Sequence, residues 1–369
     1  MNIDKTLQTG SAISDKNATQ VPHFISRKLP TTIDIDSNKC INCHACISAC
    51  PIKYCNDGSG DHVSINTDSC IGCGRCISAC SHGARTYKDD FTQFILDIKD
   101  GIPIVAVVAP SAASSFPGML PNLIGWLESL GIKAVFDVSF GAELTTYSTV
   151  KILQKLKEGM TAIASPCPAV ATYIQIYHPE LIPNLMPIAS PMIHIMRMIR
   201  RYFPEYQDCK IAVISPCLAK KREFAMYEIG EYNIGYKSIQ KYFEDNSDNL
   251  SVYPIGKFKG PMAERSVAYS SPGGLSISIL RHMPEMEGKI RRIEGGDLIY
   301  SYLTTLFESI RSGAAPKLID ALSCNFGCNA GPMTLFNDYT PDEIEKRINV
   351  RKEEQIRMYE KIKTSEDNM

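Results

Sequence analysis

LIDALSCNFGCNAGP, residues 318–332, decides how the rest of the chain is read. Leu318, Ile319, Ala321 and Leu322 make a buried strand, and the run delivers Cys324 and Cys328 into a glycine-containing turn. Gly327 and Gly331 carry no side chain, so the backbone there can pass close to something bulky. Two more cysteines share this setting: Cys167 follows TAIASP and Cys217 follows KIAVISP, each between an apolar strand and a helical pattern. Three strand ends thus present four thiols. That is the number of sulfurs an iron-sulfur cubane needs.

The other cysteines point the same way. The chain has 369 residues and 14 cysteines, nine of them between Cys40 and Cys80. Cys40, Cys43, Cys46 and Cys50 are spaced C-x2-C-x2-C-x3-C with Pro51 following, and Cys70, Cys73, Cys76 and Cys80 repeat the spacing with Ser81 in place of the proline. This resembles the two-cluster bacterial ferredoxin pattern, in which three close thiolates wrap one cubane and the fourth reaches the other. The expected ligand sets are therefore Cys40, Cys43, Cys46, Cys80 and Cys70, Cys73, Cys76, Cys50. Cys55 and Cys209 are left without a ligand role, Cys55 being read as a loop or core thiol.

The three later cysteine sites, with Lys220 three residues after Cys217 and Glu223 six after it, resemble the catalytic domain of iron-only (FeFe) hydrogenases. Family segments of the kind T-S-C-C-P, M-P-C-x-x-K-x-x-E and E-x-M-x-C-x-x-G-C-x-x-G-G correspond here to ASPCP at 164–168, SPCLAKKRE at 215–223 and DALSCNFGCNAGP at 320–332. The resemblance implies that Cys167, Cys217, Cys324 and Cys328 hold a cubane, with Cys328 bridging to a diiron subsite that carries carbonyl, cyanide and dithiolate ligands. It implies that Lys220 donates hydrogen bonds to a diiron cyanide and that Ala109, Pro110 and Ser111 line the diiron unit. Lys220, lacking any other anion in a low-dielectric pocket, is then expected to need that cyanide as its partner. The implied fold is α/β, two lobes with the active cluster between them, preceded by a small α+β ferredoxin-like domain.

The departures from the family concern protons. Pro166 stands where family members have a cysteine that relays protons. The stretch Phe136-Asp137 with Ala142-Glu143-Leu144-Thr145 is kept, but Tyr147, Ser148, Thr149 and Ile152 follow where active members carry a pair of glutamates. A water chain through Ser148 or Thr149 is the substitute the sequence offers, and hydroxyls are poorer stations than carboxylates. Ser215 and Leu322 replace two methionines that pack on the diiron unit, and the last glycine run ends in Pro332. These features resemble the divergent, sensory-type branches sometimes labelled C and D.

Composition bounds the alternatives. Net charge is -1 and the pI is near 6.7, so nothing in the charge calls for nucleic acid or an anionic membrane. Neither a signal-peptide core nor a span of about 18 apolar residues is present in the sequence, and a cytoplasmic location is expected. Fourteen cysteines then speak for metal rather than disulfides. The expected organisation is a flexible arm over 1–30, the ferredoxin-like domain over 31–90 with a polar joint at 88–93, the hydrogenase-like domain over 95–338, and a charged solvated helix over 339–369 whose partial apolar stripe is Ile344, Ile348, Ile356 and Met358. Strands are expected at 103–109, 133–139, 161–165, 211–215 and 319–323. Helices are expected at 141–153, 168–176, 193–202, 274–282 and 297–311.

The function implied is slow, reversible interconversion of H2 with protons and electrons, with two 4Fe-4S clusters passing electrons to a ferredoxin or similar carrier. Dedicated maturation proteins would install the diiron unit. Two other classes fit the same residues: a hydrogen or redox sensor, and a cubane-only electron-transfer or scaffold protein. Pro166 and the missing glutamates favour the sensor, while Lys220 and residues 109–111 count against the scaffold.

Overall fold

Two parallel sheets organise the chain, and their central strands are buried on both faces. The computed structural model describes residues 29–52, 54–336 and 339–367. The arm expected over 1–30 lies outside the described residues except for Leu29 and Pro30, of which Leu29 is buried.

Residues 29–90 form a small α+β unit. Strand β1 (Ile33–Ile35), helix α1 (Ala45–Ser48), the short hairpin β2 (Asn56–Asp57) and β3 (Ser64–Ile65), helix α2 (Arg75–Ser78) and strand β4 (Arg85–Tyr87) follow in order. The antiparallel pair of β1 and β4 closes the unit, with Ile33 opposite Tyr87. The expected joint is shorter than 88–93, because a helix already begins at Phe91. Nor is it merely polar: Asp90 pairs with Lys221 at 2.5 Å and accepts from the Asn233 amide, while Asp89 accepts from the Gly235 amide.

The first larger sheet has the order β6 (Val135–Asp137), β5 (Ile104–Val108), β8 (Lys210–Ser215), β9 (Tyr232–Gly235), all parallel. Strand β5 alternates as a two-faced strand must. Ile104, Ala106 and Val108 pack with Leu123, Trp126 and Phe243 on one side, and Val105 and Val107 pack with Phe136, Ile193 and Ile199 on the other. The second sheet is β10 (Ile290–Glu294), β11 (Leu318–Leu322), β7 (Ala162–Ile163), also parallel. The small unit has no separate core of its own: Ile33, Ile52 and Ile71 share one apolar cluster with Val170, Leu218, Leu303 and Met333.

Of the expected strands, 133–139 is cut to Val135–Asp137, and the helix expected from 141 starts at Val138 as α3 (Val138–Lys155). Asp137 is the reason: its carboxylate accepts from the Ser139 amide at 2.8 Å and caps the helix there. Helices α4 (Pro168–Tyr177), α5 (Pro191–Tyr202) and α6 (Lys220–Tyr227) start just beyond strands or at prolines. Strands β9 and β10 and the helices Phe91–Lys99, Leu120–Ser129 and Tyr236–Asp245 were not expected.

The last helix, α7 (Pro341–Asp367), is charged and packs through part of the apolar stripe noted in the sequence. Ile344 and Ile348 are buried, Met358 is exposed, and the buried Arg351 meets Asp137 at 2.5 Å. Arg351 also donates to the Pro110 carbonyl at 3.4 Å. Breaking one half of a buried pair strands the other charge, at a cost of about 3 kcal/mol or more. Arg351→Ala is therefore expected to lower unfolding free energy by that amount in denaturant titration, and a loss below about 1 kcal/mol would show that the pair does not dock the helix.

Candidate metal centres

The two cysteine runs of the small unit adopt one backbone twice. Asn42 and His44 in the first run, and Gly72 and Gly74 in the second, all have positive φ between 54° and 80°. Each run then turns into a four-residue helix carrying its third cysteine. Amides point back at sulfur: the Gly72 N–H donates to Cys70 Sγ at 3.3 Å and the Val63 N–H to Cys40 Sγ at 3.5 Å. Cys40, Cys43, Cys46 and Cys80 line one cavity, with Arg85 in its wall. Cys73 has Cys50, Cys70 and Cys76 as its charged neighbours. The fourth cysteine of each run is thus beside the first three of the other. Burial pushes the Cys76 thiol up to about 11.

Cys55, read from sequence as a bland thiol, is buried against this second set. Its hydrogen bonds with Cys50 and Cys70 push its own pKa up and lower that of Cys50 to about 7. Two arginines are buried here as well. Arg85 donates to Asn56 Oδ1 at 2.8 Å and to the Val63 carbonyl at 3.2 Å, and Arg222 reaches the carbonyls of Cys70, Thr67 and Pro30. Among the described residues no carboxylate pairs with either.

The later cysteines converge from the carboxyl ends of both parallel sheets, where α/β folds gather ligands. Cys167 caps α4 just after β7, Cys217 follows β8, and Cys324 and Cys328 follow β11. Cys328 feels Cys167 and Cys217, and Cys324 feels Cys217, Cys328, Cys167 and also Cys73 of the small unit. Burial, then neighbouring thiols, raise Cys217 to about 11 and Cys328 to about 12. The glycines serve close approach: a Cβ on Gly327 would lie 2.4 Å from the Ser270 carbonyl oxygen, and one on Gly331 2.3 Å from that of Pro216. Across these contacts the Cys328 N–H donates to Ser270 O and the Met333 N–H to Pro216 O.

Lys220 is buried, not a surface lysine. Its ammonium donates to Glu223 Oε2 at 2.6 Å and to the Pro166 carbonyl at 3.1 Å, and Ser190 Oγ donates to the same Glu223 oxygen. The expectation that Lys220 needs a cyanide as its only anion is therefore corrected, since Glu223 supplies the charge. An ammonium has three hydrogens, and the third has no acceptor among the described residues. Ala109 and Ser111 are buried at the end of β5, and Ser111 Oγ is hydrogen-bonded at 2.6 Å to Tyr236 OH. Tyr236 feels Cys328, which places this pair on the same side as the later cysteines. Sequence reading missed Tyr236, since nothing in its local pattern marks a partner 125 residues away.

These residues fit iron-sulfur groups on two counts. Buried thiols with raised pKa values keep their protons unless a cation takes the proton's place, and metal binding supplies it. Beside Cys328, the buried oxygens Tyr269 OH, Ser270 Oγ and Asn329 Oδ1 have no hydrogen-bond partner, as expected where a polar group is to be received. The proton side is poorer. Ser148 and Thr149 spend their hydroxyl hydrogens on the carbonyls of Leu144 and Thr145, at 2.9 and 2.8 Å.

Residues 102–332 match the family described as iron only hydrogenase large subunit, C-terminal domain, and residues 32–81 match the 4Fe-4S dicluster domain. The periplasmic Fe hydrogenase large subunit of Nitratidesulfovibrio vulgaris is 30% identical over 216 residues, 52% of this chain and 51% of that protein. Iron hydrogenase 1 of Clostridium pasteurianum is 26% identical over 391 aligned residues, 87% of this chain and 67% of that protein. The chain thus spans about half the length of the first relative, 51%. Among solved structures, a variant of FeFe-hydrogenase HydA1 from Chlamydomonas reinhardtii aligns with TM-score 0.56 at 16% identity, covering 71% of this chain and 88% of that one. A structure concerned with stepwise FeFe-hydrogenase H-cluster assembly aligns with TM-score 0.55 at 16% identity, with the same coverage of 71% and 88%. At such identities the structures speak for the fold, which is mixed α/β with a ferredoxin-like unit in front. The family match covers more than half of the chain, and the chain belongs to the iron-only hydrogenase family, joined to a 4Fe-4S dicluster domain.

Proposed function

We propose that the protein is an iron-sulfur oxidoreductase that interconverts H2 with protons and electrons slowly, at a cubane-diiron cluster held by Cys167, Cys217, Cys324 and Cys328. The observation that carries this reading is the convergence of those four thiols from two sheets, with the third Lys220 hydrogen and the three unpartnered oxygens collected around them. The bound cluster would supply the hydrogen and electron chemistry; the chain orients and encloses it. Ser111, fixed by Tyr236, and Ala109 and Pro110 form one wall. Lys220 forms another, its charge balanced by Glu223 so that the pocket is not left with a bare cation.

Electrons in this proposal enter at the cubane of Cys40, Cys43, Cys46 and Cys80, since Cys43 is the one exposed cysteine of the chain. They pass to the cubane of Cys50, Cys70, Cys73 and Cys76 and leave it toward Cys324, which neighbours Cys73. The external carrier is proposed as ferredoxin-like, and maturation proteins are proposed to install the diiron unit. Two domains, 31–90 and 95–338, divide these tasks. Among the described residues no helix is long and apolar enough to cross a membrane. A cytoplasmic setting is part of the proposal, fitting a thiol-rich chain without disulfides in its described part.

Pro166 favours a second reading, hydrogen or redox sensing with catalysis incidental. It presents only a carbonyl toward Lys220 and has no proton to relay.

An infrared spectrum of anaerobically matured protein is expected to show carbonyl and cyanide stretches that respond to H2. Their absence from protein loaded with three cubanes would replace this reading with the cubane-only one. Cys217→Ala is expected to lose one cubane's worth of iron and those bands together, while the ferredoxin-type signals stay.

The slow rate has its own test. Pro166→Cys combined with Thr149→Glu and Ile152→Glu is expected to raise H2 turnover with an artificial donor by roughly a hundredfold, and neither part alone to do so. If the unmodified, fully loaded protein already matches the combined variant, the missing proton stations are not what limits it.

A further inference from the structure

Helix α6 carries two buried cations that point to different cysteine sets. Lys220 and Arg222 are two residues apart, and at 3.6 residues per turn that puts them on nearly opposite faces. Lys220 serves the later cysteines through Pro166 and Glu223. Arg222 goes the other way, out of the hydrogenase domain and into the dicluster unit. It is 1% exposed, donates to the carbonyls of Cys70, Thr67 at 3.3 Å and Pro30 at 3.4 Å, and also acts on the Cys70 thiol, whose pKa its charge and hydrogen bond help to lower. Glu223, the next residue in sequence, is committed to Lys220.

A guanidinium cannot shed its proton to escape burial, so its charge has to be answered by an anion. Among the described residues no carboxylate does so, and the acidic group it reaches is the Cys70 thiol itself. A cubane held by four thiolates is anionic, and becomes more so on reduction. Cys70, whose carbonyl Arg222 grips, is the first cysteine of the set with Cys73, Cys76 and Cys50.

We infer that Arg222 is the built-in counter-charge of the cubane at Cys50, Cys70, Cys73 and Cys76, holding its reduction potential up so that this cluster collects electrons next to Cys324. The inference rests on the dicluster reading and needs no diiron unit. The same contact makes that potential depend on docking: the charge that sets it belongs to the hydrogenase domain, and the cluster to the ferredoxin-like one. Because Arg222 is buried, bulk salt does not replace it.

The test uses the full chain with its cubanes reconstituted, followed by iron analysis and redox titration of the separate reduced-cluster signals by electron paramagnetic resonance. Arg222→Gln keeps hydrogen-bond donors for the carbonyls but removes the charge; Arg222→Met removes both; Arg222→Lys keeps the charge. In the glutamine and methionine variants one cubane is expected to become harder to reduce, its reduced-to-oxidised ratio at fixed potential falling at least tenfold, about 59 mV for a one-electron couple. The lysine variant is expected to stay near the unmodified protein. A glutamine variant with full iron and unmoved potentials overturns the inference, as does a lysine variant that behaves like glutamine. Should a variant fail to hold one cubane, loss in glutamine and methionine but not lysine supports the role of charge, and loss in all three assigns Arg222 to shape alone. Missing infrared bands would sink the hydrogenase reading and leave this measurement standing.

Discussion

Charge balance around buried sulfur is the constraint on which this structure turns. Most of the cysteines are wholly or partly buried, and burial first, then neighbouring thiols, drive Cys76, Cys217 and Cys328 upward. A chain built this way is at odds with itself unless iron takes the place of the protons. The cationic residues are distributed to match. Arg85 faces the cavity of the first set, Arg222 grips Cys70, and Lys220 stands by the later set with its own carboxylate. Of these three cations only Lys220 has a carboxylate partner among the described residues, and beside Cys328 the oxygens Tyr269 OH, Ser270 Oγ and Asn329 Oδ1 are buried without hydrogen-bond partners.

The fold brings these groups together by economical means. Two parallel sheets with buried central strands set their carboxyl ends toward one place, and short turns after β7, β8 and β11 each deliver cysteine there. Close backbone passage at Gly327 and Gly331 then laces the cysteine turn to Ser270 and Pro216, so that segments distant in sequence hold it. The small unit shares its core with the second sheet's helices, which fixes Cys73 beside Cys324 without a linker to adjust. Helix α7 completes the arrangement from the far end, its Arg351 joining the cap of α3 to the Pro110 carbonyl.

What could be read in the sequence was what chemistry repeats locally. Cysteine spacing is a covalent demand of the cluster, so the runs at 40–50 and 70–80 and the strand-end cysteines stood out at once. The double-faced strands β5, β8 and β11 were legible from continuous apolar runs. Strand β10, IRRIE, was not, because a half-exposed edge strand carries charges that hide its period. Long-range polar partners were invisible for a different reason: Tyr236 with Ser111, Arg351 with Asp137 and Arg222 with Cys70 are separated by 125, 214 and 152 residues. Nothing local announces such a pairing. The same limit misjudged Lys220, whose anion is only three residues away but becomes a partner because both side chains are folded inward.

The polar side chains near the later cysteines are mostly engaged in holding the fold. A relay needs stations that can hold a proton for a moment and pass it on, with pKa values near the working pH. On α3 the hydroxyls of Ser148 and Thr149 are tied to their own helix carbonyls, and Ile152 adds nothing. His194, hydrogen-bonded to Thr145 at 2.9 Å, is the nearby titratable group on α5, but burial lowers it to about 4 and leaves it a reluctant acceptor at neutral pH. At Pro166 the chain keeps a carbonyl for Lys220 where a thiol would have carried protons. Thiol sets thus follow one another from Cys43 to Cys328, whereas the groups beside them that could hold a proton are carbonyl-engaged hydroxyls and a desolvated imidazole, because each polar side chain here is already committed to closing the fold.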